Sequence, residues 1–234
     1  YAFYNCNKLE LLNFYGESLV SIGKFAFYNC SSLGSELEIP NSVLYIGESA
    51  FENCSNLKSL KLSESLTMIS NSAFANCVFG GELKIPNLIT SIGDKAFFRC
   101  SGFTSINITS EKVTFIGSEA FFGCSNFNNF LVIPNSVISI SNYAFSGCSK
   151  LIGLKISDSI KLIGDGSFSN CSNLSGSLTI PKTVTKISKK SFYNCSNYHD
   201  NLTLFDLSII ENYSFTYTNF KNVIYHGKNH PKCG

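Results

Sequence analysis

Apolar and polar positions in this chain follow a pattern that restarts about every 24 residues, give or take one. In one copy Leu57, Leu60 and Leu62 are the apolar positions, and the last two alternate with the period of a strand that buries one face. The same places hold Phe103, Ile106 and Ile108 in another copy, and Leu151, Leu154 and Ile156 in a third. Four or five residues later comes a further apolar residue (Val43, Leu66, Val113, Val137, Ile160, Val184), with an isoleucine three beyond it (Ile46, Ile69, Ile116, Ile140, Ile163, Ile187). That pair predicts a second, shorter inward-facing strand. Gly47, Gly93, Gly117 or Ser141 then suits a turn. Each copy closes on a small residue, Phe, two variable residues and Cys. With Phe and Cys both facing inward, this phrase predicts a single helical or 3₁₀ turn.

The closing phrase occurs ten times, from Ala2-Phe3 with Cys6 to a degenerate Ser214-Phe215 with Thr218. Its cysteines, Cys6, Cys30, Cys54, Cys77, Cys100, Cys124, Cys148, Cys171 and Cys195, recur at nearly even intervals, and no interval departs from the others by more than one position. A unit this short cannot bury its own apolar face, so each copy must be one coil of a stacked solenoid. The expected fold is a mainly β repeat solenoid of about ten coils with short parallel strands. At about 4.8 Å per strand step it would be roughly 45–50 Å long.

A second period doubles the first. Coils with a compact link into the strand (Leu57-Lys58-Ser59-Leu60) alternate with coils whose link is one residue longer (Leu33 to Leu37, Leu174 to Leu178). The longer form usually leads to Ile-Pro, at Pro40, Pro134 and Pro181, and Gly80-Gly81 before Pro86 is a shortened variant. The duplicated unit is therefore a pair of coils, with two alternating types of surface loop.

The stretch Leu37-Glu38-Ile39-Pro40-Asn41-Ser42-Val43 through Ala50-Phe51-Glu52-Asn53-Cys54 resembles the BspA-like leucine-rich repeats, found in surface proteins of bacteria and parasitic protozoa. The resemblance covers essentially the whole chain. It implies a right-handed leucine-rich-repeat arc whose parallel strands form a concave sheet. The buried asparagine of the commonest leucine-rich repeats is missing, with Ser42, Ser65 or Ser136 near its place.

Composition sharpens the exclusions. Eighteen Lys and Arg against sixteen Asp and Glu, with no basic run, disfavour nucleic acid as a partner. No apolar stretch approaches the roughly 20 residues of a membrane span. One solenoid domain over residues 1–234 is expected, with 219–234 as a terminal cap coil. The start at Tyr1, in mid-coil and without Met, reads as a fragment or processed product, silent on a leader peptide.

Cysteines stacked one per coil keep parallel Cα–Cβ vectors, whereas a disulfide needs converging vectors and Cβ atoms about 3.8 Å apart. The nine column cysteines are therefore expected to be reduced and buried. Cys233 is out of register: a terminal packing residue, or a thiol with a partner outside this sequence. His226, His230 and Cys233 have spacing that could hold a metal, but no fourth ligand is evident and the segment reads as a polar cap. No metal or cofactor is expected. No catalytic motif, phosphate loop or paired carboxylate appears, the aspartates fall mostly at turns, and no enzyme activity is expected. Asn-x-Ser/Thr occurs at eight places; four (Asn29, Asn53, Asn170, Asn194) are Asn-Cys-Ser beside the column, and Asn107, Asn201 and Asn212 are the candidate glycan sites.

Function must then come from a surface. The outward residue between the last two inward positions of each strand forms a row: Asn13, Glu38, Lys61, Lys84, Asn107, Val132, Lys155, Thr179 and Thr203. The resemblance implies that this concave row contacts protein ligands, in a cell-surface or secreted adhesion module. The competing reading is an intracellular, cytoplasmic or cytoskeletal scaffold packed along a filament or in a larger assembly. A leader, an anchor, a stalk or glycan would favour the first.

Overall fold

A computed structural model describes residues 1–34, 36–228, 231 and 232, and the backbone of 233. The ten closing phrases bound nine complete turns of a parallel-strand solenoid, and every paired strand in it is parallel. Each turn has three sides. One carries the longer strands, such as Gly81–Ile85 and Phe103–Ile108. The second carries two-residue strands, such as Met68–Ile69 and Phe115–Ile116, at the places the second inward pair predicted. The third is the small-Phe-x-x-Cys phrase.

That third side departs from expectation, because among the described residues there is no helix of either kind. Its backbone N–H groups alternate in destination. Those of Ala26, Tyr28 and Cys30 close tight turns onto the carbonyls of Gly23, Phe25 and Phe27, while those of Phe25, Phe27 and Asn29 donate to Glu48, Ala50 and Glu52 in the next coil at 2.8–3.0 Å. The cause is left-handed backbone at two places per phrase, here Phe25 (φ 55°) and Asn29 (φ 58°). A continuous helical turn would point its N–H groups along its own axis and leave none for the neighbour. The left-handed residues rotate every second one outward, and a third hydrogen-bonded ladder results.

The core is built of identical side chains stacked in columns. The ten phrase phenylalanines, Phe3 to Phe215, run parallel at centroid separations of 5.0–5.7 Å. Offset stacking of this kind adds about 0.5–1.5 kcal/mol per pair beyond the area buried. A second aromatic column, Phe79, Phe103 and Phe127, packs edge-on against it at Phe74, Phe97 and Phe121. Gly117 holds one corner, where a Cβ would come within 2.6 Å of the Asp94 nitrogen in the coil before.

The two-coil period decides how the strands pair. On the long-strand side Glu36–Glu38 pairs with Ser59–Lys61, Gly81–Ile85 with Phe103–Ile108, and Phe130–Val132 with Gly153–Lys155. The sheet breaks before the Ile-Pro coils of Pro86, Pro134 and Pro181. The short-strand side is continuous across five coils, from Met68–Ile69 to Leu162–Ile163.

Alternation also reaches the corner between these two sides. Where one coil has Pro40, Pro86 or Pro134, the next has a buried serine: Ser63, Ser110 or Ser157. Each serine donates its hydroxyl to a carbonyl of the coil before: Val43 at 2.8 Å, Ile89 at 2.7 Å and Val137 at 3.3 Å. The same oxygens accept the N–H of Ser65, Lys112 and Ser159. These serines, and not Ser65 or Ser136, replace the buried asparagine ladder. Ser42 alone of the expected three makes such a bond, to Leu19 O at 2.8 Å.

Candidate interaction surface

Eight of the nine column cysteines, Cys30 to Cys195, are fully buried and all nine are free thiols. Each buried Sγ–H donates to the phenylalanine carbonyl one coil earlier, at 3.0–3.3 Å. Burial pushes these thiols up, Cys54, Cys100 and Cys195 to about 12, which removes them from thiolate chemistry at neutral pH. Cys6 corrects the expectation of a fully buried column. It is exposed, on the outer side of the first phrase.

The predicted contact row lies in register. Glu38 is paired with Lys61, Lys84 with Asn107, Val132 with Lys155, and Thr179 with Thr203. Residues Glu38 to Thr179 of the row are exposed, Thr203 is half-buried, and Asn13 is exposed but outside any strand. One ion pair lies within the row, Lys61 with Glu38 at 2.5 Å, and Lys84 pairs with the corner residue Glu64 at 3.6 Å. Ion pairs this exposed contribute roughly 0–1 kcal/mol to stability, so the fold does not require these residue types here.

A second exposed row escaped the sequence reading. Between the two inward residues of each short strand, two side chains face solvent. One of these rows reads Tyr45, Met68, Ser91, Phe115, Ser139, Leu162, with Tyr45 44%, Met68 41%, Phe115 39% and Leu162 49% exposed. The signal was present in the sequence as large apolar residues at an outward position. The inward residues flanking them claimed all the attention.

Among the candidate glycan sites, Asn107 and Asn212 are exposed, and half-buried Asn201 accepts a hydrogen bond from Asn222 at 2.9 Å. The Asn-Cys-Ser asparagines have left-handed backbone, φ 56–63°, and pair between adjacent coils: Asn29 with Asn5, and Asn194 with Asn170, both at 3.0 Å. His226 ends the last long strand, stacked on Phe205 at 5.1 Å. His230 and the Cys233 side chain lie outside the described residues, so the cluster weighed as a metal site stays an expectation. Among the described residues no group of three or more His, Cys, Asp or Glu could hold a metal ion, and no helix is long and apolar enough to cross a membrane.

The BspA type leucine rich repeat region family, in its six-copy form, matches residues 1–128, 79–198 and 114–230. Similar solved structures include a leucine-rich repeat protein from Bacteroides ovatus, with 24% identity and a TM-score of 0.63. That match covers 89% of this chain, and the chain spans 66% of the B. ovatus protein. A leucine rich cell surface protein from Faecalibacterium prausnitzii has 23% identity and a TM-score of 0.56, covering 96% of this chain and 75% of that one. A leucine-rich repeat protein of T. pallidum reaches 30% identity and a TM-score of 0.62, over 70% of this chain and 76% of its own. No curated protein matches the chain.

Proposed function

The chain belongs to the BspA-type leucine-rich repeat family, and on that footing we propose that it is a non-enzymatic protein-binding module displayed on a cell surface or secreted. Its contact face is the row from Asn13 to Thr203. The observation that carries this reading is the exposed, in-register row on the long-strand side, whose charged members the fold itself does not need. Solenoids bind by summing weak contacts over many coils, which such a row provides without a single pocket. The placement at the surface rests on the family. It is supported by the F. prausnitzii relative, itself described as a cell surface protein.

The test is adhesion of beads carrying the chain to host epithelial cells and to immobilised matrix proteins. Charge reversals Lys61→Glu, Lys84→Glu and Lys155→Glu, alone and combined, should weaken adhesion by degrees as more coils are altered. Full adhesion by the triple variant would exclude the row, and total loss from one substitution would indicate a local site. Labelling intact source cells with a membrane-impermeant amine reagent checks the location, since a surface protein labels and a scaffold inside the cell does not.

A further inference from the structure

The continuous short-strand side differs from the proposed contact row in chemistry. From Leu44 to Ser139 its outward positions hold Leu44, Tyr45, Thr67, Met68, Thr90, Ser91, Thr114, Phe115, Ile138 and Ser139, without one charge. Lysines enter toward the ends, at Lys161 and Lys186 on this side and at Lys24 and Lys189 on its margin, where Lys24 pairs with Glu48 at 2.6 Å. Lys186 pairs with Glu211, but Lys161 and Lys189 hold no ion pair among the described residues.

Charge is also unequal along the solenoid axis. Residues 1–119 carry eleven acidic and eight basic side chains, and residues 120–234 carry five and ten. Two copies set side by side in the same direction would repel, and two reversed end for end would attract.

From this we infer that the short-strand side is a self-association surface, which joins two copies face to face and end-reversed about a two-fold axis along the strands at Phe115. The outward row fits that axis. Phe115 meets itself, Ser91 faces Ser139, Met68 faces Leu162, and Tyr45 faces Lys186, an aromatic ring opposite a cation. At the margin the Glu48 carboxylate, which pairs with Lys24 of its own chain, faces Lys189. Such an interface is isologous and closes at the dimer. The face spans seven coils, of which the middle five, Met68 to Leu162, form one sheet, and it is only about 30 Å long and two residues wide. That is smaller than the roughly 800 Å² per partner of a standard interface, so the pairing is weak and reversible. It leaves the proposed contact rows of both copies uncovered, so it stands whether or not those rows bind a ligand.

Sedimentation equilibrium of the whole chain, over roughly 5–200 µM at low and high salt, reads this directly. The expected result is a reversible monomer–dimer equilibrium that weakens with salt. Phe115→Glu should weaken it at least tenfold, and Phe115→Ser, the residue of both neighbouring coils, should weaken it while keeping the fold. Lys161→Glu with Lys189→Glu should weaken it at low salt, whereas Lys150→Glu, outside this face, should not. A chain monomeric throughout would overturn the inference. So would a dimer indifferent to both Phe115 variants, or open-ended polymers, which report stacking of solenoid ends.

Discussion

The thiol of Cys124 donates to the carbonyl oxygen of Phe97, one coil earlier, at 3.2 Å, and that oxygen also accepts the backbone N–H of Cys100 at 3.1 Å. The same three-centre junction recurs through the column. It explains the residue type: cysteine is small enough for a stacked core and still carries a donor for a carbonyl facing its neighbour. Alanine would fill the space without the donor, and serine would place a more strongly hydrated hydroxyl there.

Cys124→Ala should therefore cost about 1–2 kcal/mol, from the lost sulfur contacts and the weak hydrogen bond. Cys124→Asp should be far worse, because it leaves an unpaired charge in the core. Urea unfolding of both variants measures this. An aspartate variant that melts normally would contradict the buried column.

Alkaline pH should unfold the chain steeply. In the folded state burial holds the thiols from Cys30 to Cys195 above their ordinary value of 9.0, at about 12 for Cys54, Cys100 and Cys195. Below pH 9 both states keep the protons and stability is complete. Between pH 9 and about 12 only the unfolded chain releases them, and each such thiol costs about 1.4 kcal/mol per pH unit. Thermal melts from pH 7 to 10.5 should show the fall beginning between pH 8 and 9. In native alkylation at pH 8, Cys6 should react before any buried member of the column.

Asn170 sits at φ 60° immediately before Cys171. Asn170→Gly should stay within about 0.5 kcal/mol of the parent, since glycine accepts this backbone freely, while Asn170→Val should lose about 1–2 kcal/mol or more. Gly123 and Gly147 already fill the equivalent place in two other coils. Chemical denaturation of the two variants separates backbone strain from the loss of the asparagine pair with Asn194, which both remove.

The C-terminal part of the core contains hydroxyls that find no partner among the described residues: Ser167, Ser191 and Tyr198. Ser167 and Ser191 stand where earlier coils have alanine, and Tyr198 where they have leucine or phenylalanine. Ser191→Ala and Tyr198→Phe should each stabilise by about 1 kcal/mol, because a buried donor without an acceptor carries its full desolvation cost. A lowered melting temperature in either variant would reveal a bonding partner for that hydroxyl in solution.

Much of this was legible in the chain itself. The cysteine spacing gave the coil length, the apolar triplets marked the strands, and Ala-Phe-x-x-Cys named the two side chains that stack. The helical turn was misread because left-handed backbone leaves no mark when Phe25, Ser49, Lys95 or Glu119 adopts it. The asparagines before the cysteines are a trace of it, since asparagine tolerates left-handed backbone better than most residues. The Ser63, Ser110 and Ser157 corner was missed for a related reason. Its hydroxyls bond to carbonyls 20 or 21 residues back, beyond any local pattern.

The sequence by itself determined the length of each coil and which side chains face inward, because a repeat buries its apolar positions only by stacking on its copies. It also determined the two-coil alternation of link length and Ile-Pro. Only the tertiary structure decided where hydrogen bonds between coils run, why a phrase that reads as a helical turn becomes a ladder, and which outward row is continuous and which is broken into pairs. Those outcomes depend on backbone groups meeting across a coil, a relation between residues some 20 to 27 positions apart. No local preference encodes such a meeting until the coils are laid on one another.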